Sequence, residues 1–130
     1  LWVILSISLL VADSKSFINI MFVPTFCASW TLAIFNTVFN VSKYFGLSGV
    51  TSPTYAYLNV YGDLLYHYDC YRLSSGEDAE ALGLTDYFYM KGICLIEWAQ
   101  NIADVLPRNV KKVKIEKIDE NTRKIILWNI

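Results

Sequence analysis

Leu64-Leu65-Tyr66-His67-Tyr68-Asp69-Cys70-Tyr71-Arg72-Leu73 is the stretch on which the fold turns. Its first six residues are β-rich and end on a carboxylate. The run before it, Tyr55–Tyr61, is separated from it by Gly62-Asp63, a pair suited to a tight hairpin turn. A second carboxylate ends another such run: Ile93–Ile96 follows Gly92, reads as a fully buried strand, and is succeeded by Glu97-Trp98. Strands that deliver polar groups at their ends are how an open α/β sheet builds a ligand site at its carboxyl edge. Ser74 followed by Glu77 matches a capping box, and Gly83 closes a short helix over Glu77–Leu82. Ala99–Leu106 fits another short helix, stopped by Pro107. Val113 and Ile115 alternate with Lys112, Lys114 and Glu116, and Asp119-Glu120-Asn121 turns the chain into Arg123–Ile130, which predicts a half-exposed antiparallel C-terminal hairpin.

The size, 130 residues, sets one domain as the expectation for 1–130. With 11 basic and 12 acidic residues the net charge is -1, so the overall field favours neither a nucleic-acid backbone nor an anionic membrane. Cys27, Cys70 and Cys94 form no C-x-x-C pair, which argues against zinc and against a disulfide framework and fits a reducing cytosol. Cys70 lies among apolar neighbours and reads as a small buried hydrophobe.

The chain changes character near residue 43. Asp13 is the only acidic residue before position 50, no glycine precedes Gly46, and the chain opens at Leu1 without an initiator methionine, which reads as a fragment or an incomplete coding sequence. Leu1–Ala12 is apolar but too short to span a bilayer, and it lacks the basic leader of a secretory signal. Phe17–Val41 carries no charge and meets the length of a membrane span, although Pro24 and polar positions such as Asn19, Asn36 and Asn40 count against that reading. A membrane anchor therefore stays open as an alternative.

Chemistry concentrates after residue 50. Asp69 suits a magnesium ion, which asks for a few oxygen ligands plus waters and phosphates; the plainer reading is a turn or helix cap. Ser52-Pro53-Thr54 joins two hydroxyls to a proline that stiffens the loop, and by itself is a common turn. Glu97, at the end of a buried strand, suits water activation or metal contact, or equally a helix cap or an ion pair with Arg72. Arg72 suits a phosphate clamp or a pair with Asp69 or Glu97. His67 alternates with Asp69 on one strand face and suits orienting a carboxylate or bonding backbone. Trp98 reads more simply as a core or edge residue than as a stacking platform. Six of nine tyrosines fall between Tyr55 and Tyr71, without interleaved basic residues, and read as strand packing rather than base stacking. Lys111, Lys112, Lys114 and Lys117 read as a solvated strand face, with a docking surface for a partner as the alternative.

Val50-Thr51-Ser52-Pro53-Thr54-Tyr55, His67-Tyr68-Asp69-Cys70-Tyr71-Arg72 and Leu95-Ile96-Glu97-Trp98 follow one another in the order S-P-T-[FY], H-x-D-x-Y-R, I-E-W. In this the chain resembles the TsaE (YjeE) family, the ATPase component of bacterial tRNA threonylcarbamoyladenosine biosynthesis. The resemblance covers residues 44–130, with 1–43 divergent. It implies a P-loop-NTPase-like α/β fold, a mainly parallel sheet flanked by helices, with Ile18–Val23 as a buried parallel strand and Leu32–Phe45 as the helix that follows the phosphate loop. It implies ATP and magnesium as cofactors, with Asp69 and Glu97 catalytic, Asp69 and Thr54 on the metal, Ser52, Thr54, Arg72 and Trp98 on the nucleotide, and His67 and Tyr71 supporting the site. It also implies a cytoplasmic protein working with the threonylcarbamoyl-transferase complex as a regulatory motor, with no direct nucleic-acid contact. The family's G-x-x-G-x-G-K-T loop is absent; Ala33, Ile34, Phe35, Asn36 and Thr37 stand nearest its place. Phosphate cradling needs glycines and a lysine, so ATP binding should be severely weakened. An upstream coding fault, a decayed gene, or a replaced front half each accounts for this. A non-enzymatic interaction module is the rival to an active ATPase.

Overall fold

Leu65–Asp69 and Ile93–Glu97 are buried at every position and lie side by side in parallel, which is what near-continuous apolar runs predict. The computed structural model describes residues 18–23, 38–39, 41–43, 45–53, 55–108, 110–119 and 122–128. In chain order the strands are β1 (Ile18–Val23), β2 (Leu58–Tyr61), β3 (Leu65–Asp69), β4 (Ile93–Glu97), β5 (Lys111–Lys117) and β6 (Arg123–Trp128), with one α-helix, α1 (Gly76–Ala81), between β3 and β4. They form one sheet in the order β2-β3-β4-β1-β5-β6. The four inner strands are mutually parallel, while β2 and β6 are added antiparallel at the two edges. The chain is thus α/β with a mainly parallel sheet, closed at its C-terminus by the expected hairpin.

β1 is interior, paired with β4 from Ile18↔Ile93 to Phe22↔Glu97 and with β5 from Ile20↔Lys111 to Val23↔Lys114. A strand here means that Phe17–Val41 does not run as one continuous membrane helix, and no helix among the described residues is long and apolar enough to cross a membrane. Residues 38–39 and 41–43 are helical, within the expected Leu32–Phe45 helix, whose first half lies outside the described residues.

Alternation along the strands divides the core in two. Leu65, Ile93, Leu95 and Val113 pack on one face with Val38 and Val41 of the helical segment. Tyr68, Cys94 and Ile96 pack on the other with Ala79 of α1, Phe88 and Ile102. Leu65 and Leu95 are fully buried, each worth about 2 kcal/mol of transfer free energy. On the second face Tyr68 buries its ring against Phe88 at 5.4 Å and donates its hydroxyl to the Leu84 carbonyl at 3.1 Å. That partner lets a tyrosine occupy a core position. Leu84–Tyr89 is a 3-10 helix that the sequence reading did not anticipate.

Three expected boundaries shift. β2 begins at Leu58 because the chain turns at 55–57, and its link to β3 is the three residues 62–64, with Gly62 at φ 59. The N-cap of α1 is Ser75, not Ser74: Ser75 Oγ accepts from the Asp78 N–H at 3.2 Å, while Asp78 Oδ2 accepts from the Ser74 N–H at 3.0 Å. Asp78, rather than Glu77, therefore closes the cap. The expected helix at Ala99–Leu106 is a 3-10 turn, Ala99–Ile102, continued by turns with three-residue spacing such as Val105 N–H to the Ile102 carbonyl at 3.2 Å. Gly92 shows φ 128, and a Cβ there would come within 2.8 Å of Tyr66 and 2.9 Å of the Asp63 carbonyl.

Gly92→Ala should cost about 3 kcal/mol, combining a glycine-only backbone with overpacking. Gly49→Ala, left-handed but surrounded by open space, should cost about 1 kcal/mol, and paired urea titrations compare them. The Ser74 N–H, and next Ser75, hold the Asp78 carboxyl below the ordinary range. A depressed folded value makes the cap's contribution complete above about pH 4 and lost as pH falls through that lower value. Asp78→Asn should flatten the acid limb of the stability–pH curve, read from thermal melts.

Candidate functional site

Parallel register fixes what meets at the carboxyl edge. Asp69 and Glu97, the last residues of β3 and β4, are register partners, so both carboxylates leave the sheet at one place and on one face. They are 7% and 8% exposed, far below what unpaired acids show. Each is supported. Asp69 Oδ1 accepts from the Tyr71 N–H at 3.1 Å, so Asp69 caps the turn that follows β3. Glu97 Oε1 meets His67 Nε2 at 2.6 Å. Arg72 joins neither carboxylate. Its guanidinium lies 4.7 Å over the exposed Tyr55 ring, where it keeps its hydration while gaining a cation–π contact. The Trp98 ring packs on Tyr71 with centroids 4.9 Å apart, which agrees with an edge role.

The backbone at this edge is strained. Tyr57 and Trp98, at φ 61 and φ 57, are the non-glycine residues with positive φ among the described residues, each costing about 1–2 kcal/mol. Strain of this kind collects at functional sites. Trp98 directly follows Glu97, and the Tyr57 carbonyl accepts from the Asp69 N–H at 3.0 Å.

Tyr57 also links the edge to the Ser52-Pro53-Thr54 loop, because the buried Pro53 gives its carbonyl to the Ala56 and Tyr57 N–H groups at 2.8 and 2.9 Å. The other end of that loop is held by β2: Tyr61 Oη accepts from the Thr51 N–H at 2.9 Å and donates to the Thr51 carbonyl at 3.0 Å, and Asn59 Nδ2 donates to the same carbonyl at 3.2 Å. Ser52 is exposed within it. Thr54, Asn36 and Thr37 lie outside the described residues. Asn101, which no sequence signal singled out, donates Nδ2 to the Cys70 and Tyr71 carbonyls at 3.0 and 3.4 Å and holds the loop after Asp69.

Among the described residues no three of His, Cys, Asp and Glu converge as a closed metal cage. Two adjacent carboxylates with a hydroxyl-bearing loop nearby are instead the partial set suited to magnesium, which retains waters and phosphate oxygens. Cys70 and Cys94 take no part. Burial, with lesser contributions from the Asp69 and Glu97 charges, pushes the Cys70 thiol up to about 12, and burial does the same for Cys94.

The family model described as "Threonylcarbamoyl adenosine biosynthesis protein TsaE" matches residues 36–125. Proteins named "tRNA threonylcarbamoyladenosine biosynthesis protein TsaE" are 40% identical over 74 residues in Haemophilus influenzae, 38% over 79 in Bacillus subtilis and 40% over 78 in Treponema pallidum. These matches cover 55%, 58% and 58% of this chain and 47%, 49% and 58% of those proteins, so the chain spans about half the length of the curated relatives it matches. The crystal structure of Bacillus subtilis YdiB superposes with a TM-score of 0.64 at 27% identity, over 88% of this chain and 69% of that one.

At about pH 8, where an ordinary thiol is partly ionised, Cys70 and Cys94 should resist iodoacetamide in the folded protein and react on addition of urea. Mass spectrometry of tryptic peptides reads the outcome.

Proposed function

This chain belongs to the TsaE family, and from that premise we propose that it serves tRNA threonylcarbamoyladenosine biosynthesis as an accessory nucleotide-binding component. In this reading 1–130 is one TsaE-like domain acting in the cytoplasm with the threonylcarbamoyl-transferase proteins. The register pairing of Asp69 with Glu97 carries it, because it puts two poorly exposed acids where an α/β sheet receives ligands.

Asp69 would hold magnesium through Oδ2, directly or through water, with Thr54 as a second oxygen donor. Magnesium bound there would neutralise charge building on the phosphates. Glu97 would orient the water or the metal's hydration shell. Ser52 lies in a segment hydrogen-bonded at Thr51 to β2 and, through Pro53 and Tyr57, to Asp69, so a change at the phosphates has a hydrogen-bonded route to that segment. Ser52, Thr54, Arg72 and Trp98 would contact the nucleotide, with Tyr71, whose ring packs on Trp98, in support.

One observation favours a second reading, an interaction module that has lost hydrolysis. Pro24 to Thr37, which joins β1 to the helical segment at 38–43, contains neither glycine nor lysine. Without them the anion has no backbone cradle and no β/γ-phosphate cation.

Calorimetric titration with ATP and magnesium tests both. Binding should be weak, with Kd on the order of 1 mM, and should lose its dependence on magnesium in Asp69→Asn. Micromolar affinity would overturn the inference about the phosphate grip, and magnesium dependence that survives Asp69→Asn would remove Asp69 from the metal.

A further inference from the structure

We propose that His67 is a positioning residue, whose Nε2–H holds the Glu97 carboxylate in one orientation beside Asp69 and so sets the geometry that a bound magnesium nucleotide meets. The proposal rests on the reading of this edge as a magnesium-nucleotide site.

Four observations carry it. The Nε2 to Oε1 separation of 2.6 Å is at the short end even for hydrogen bonds to an ionised carboxylate. The bond runs diagonally: His67 is in register with Leu95, whereas Glu97 is in register with Asp69, so the imidazole stands behind the carboxylate, one alternation further into the sheet. The His67 side chain is 1% accessible and that of Glu97 10%, so what a ligand can reach belongs to the glutamate. Finally, His67 Nδ1 is buried and has no hydrogen-bond partner among the described residues.

The last observation separates a positioning histidine from a merely structural one. A core histidine kept for packing normally satisfies both ring nitrogens. Here one nitrogen has no partner among the described residues, and the hydrogen bond that the ring makes with them is to Glu97. A ring with its proton on Nδ1 alone would leave that donor unsatisfied and set two acceptors, Nε2 and Oε1, against each other, so the ring carries a proton on Nε2, aimed at the carboxylate. The Arg72 guanidinium lies over Tyr55 and not on Glu97. The Glu97 backbone is fixed independently, through its carbonyl bond to the Cys70 N–H at 3.0 Å and the left-handed Trp98 that follows. Its side chain therefore depends on His67 for its direction.

The experiment compares the wild type with His67→Gln, which can place an N–H close to the Nε2 position, and His67→Leu, which cannot. In the wild type, nitrogen-15 NMR of the imidazole should show a proton on Nε2; a ring protonated on Nδ1 alone would overturn the proposal even if no variant folds. Carbon-13 couplings of the Glu97 side chain should show one rotamer in the wild type and His67→Gln, and averaging in folded His67→Leu. A single unchanged rotamer in His67→Leu would overturn the proposal. With manganese and ATP as the probe, followed by electron paramagnetic resonance, His67→Leu should bind about tenfold more weakly, while His67→Gln stays within about threefold of the wild type. Equal affinities in the wild type and His67→Leu would also overturn it. If the wild type holds no manganese with ATP, the magnesium-nucleotide reading falls, and the Glu97 rotamers still decide whether His67 positions that carboxylate.

Discussion

Everything at the carboxyl edge depends on the alignment of β3 with β4. Parallel pairing puts Asp69 opposite Glu97, and a slip of one residue would send one carboxylate to the opposite face of the sheet. The register is held from both sides by packing. Leu65 and Leu95 lock one face while Tyr68 and Ile96 lock the other, so the acids are positioned by hydrophobic contacts well inside the molecule. Burying two acids has a desolvation cost, and the structure offsets it locally, with a main-chain N–H for Asp69 and an imidazole for Glu97.

The second determinant is how the loops attach to that edge. Tyr57 and Trp98 adopt a conformation that neither favours, and each adjoins one of the acids or its backbone. The chain around them is held by polar side chains rather than by regular structure: Tyr61 and Asn59 grip Thr51, and Asn101 grips the segment after Asp69. A rigid apolar sheet thus carries a rim whose shape is set by a small number of hydrogen bonds. Such a rim can respond to a ligand without disturbing the core.

How far the sequence can be read follows from the same division. The strands were legible because apolar runs bounded by Gly62, Gly92 and the C-terminal charges leave few alternatives, and the two terminal acids were legible because they interrupt such runs. β1, in a segment with almost no punctuation, was legible only through the family resemblance, because its residue types do not by themselves demand a strand. What escaped depends on contacts between distant positions or on one-residue choices. Leu84–Tyr89 has no clear period of its own and is held by Tyr68 and Cys94. Ser75 displaces Ser74 as cap because it is Asp78 that reaches back. Arg72 lies over Tyr55 and not on either acid, each of which already has a hydrogen-bond partner. The positive φ of Tyr57 has no local signature at all.

β1 is among the earliest described segments of the chain and yet sits between β4 and β5, whose residues come far later in the sequence. During synthesis it therefore leaves the ribosome long before either neighbour exists, with its backbone donors and acceptors unpaired on both sides. The sheet cannot close until Lys111–Lys117 has emerged, so assembly is governed by distant pairing and should be slow for a chain of this length. In that interval β1 is an adhesive segment, open to pairing with another chain, and shielding it is a task for chaperones rather than for the native fold.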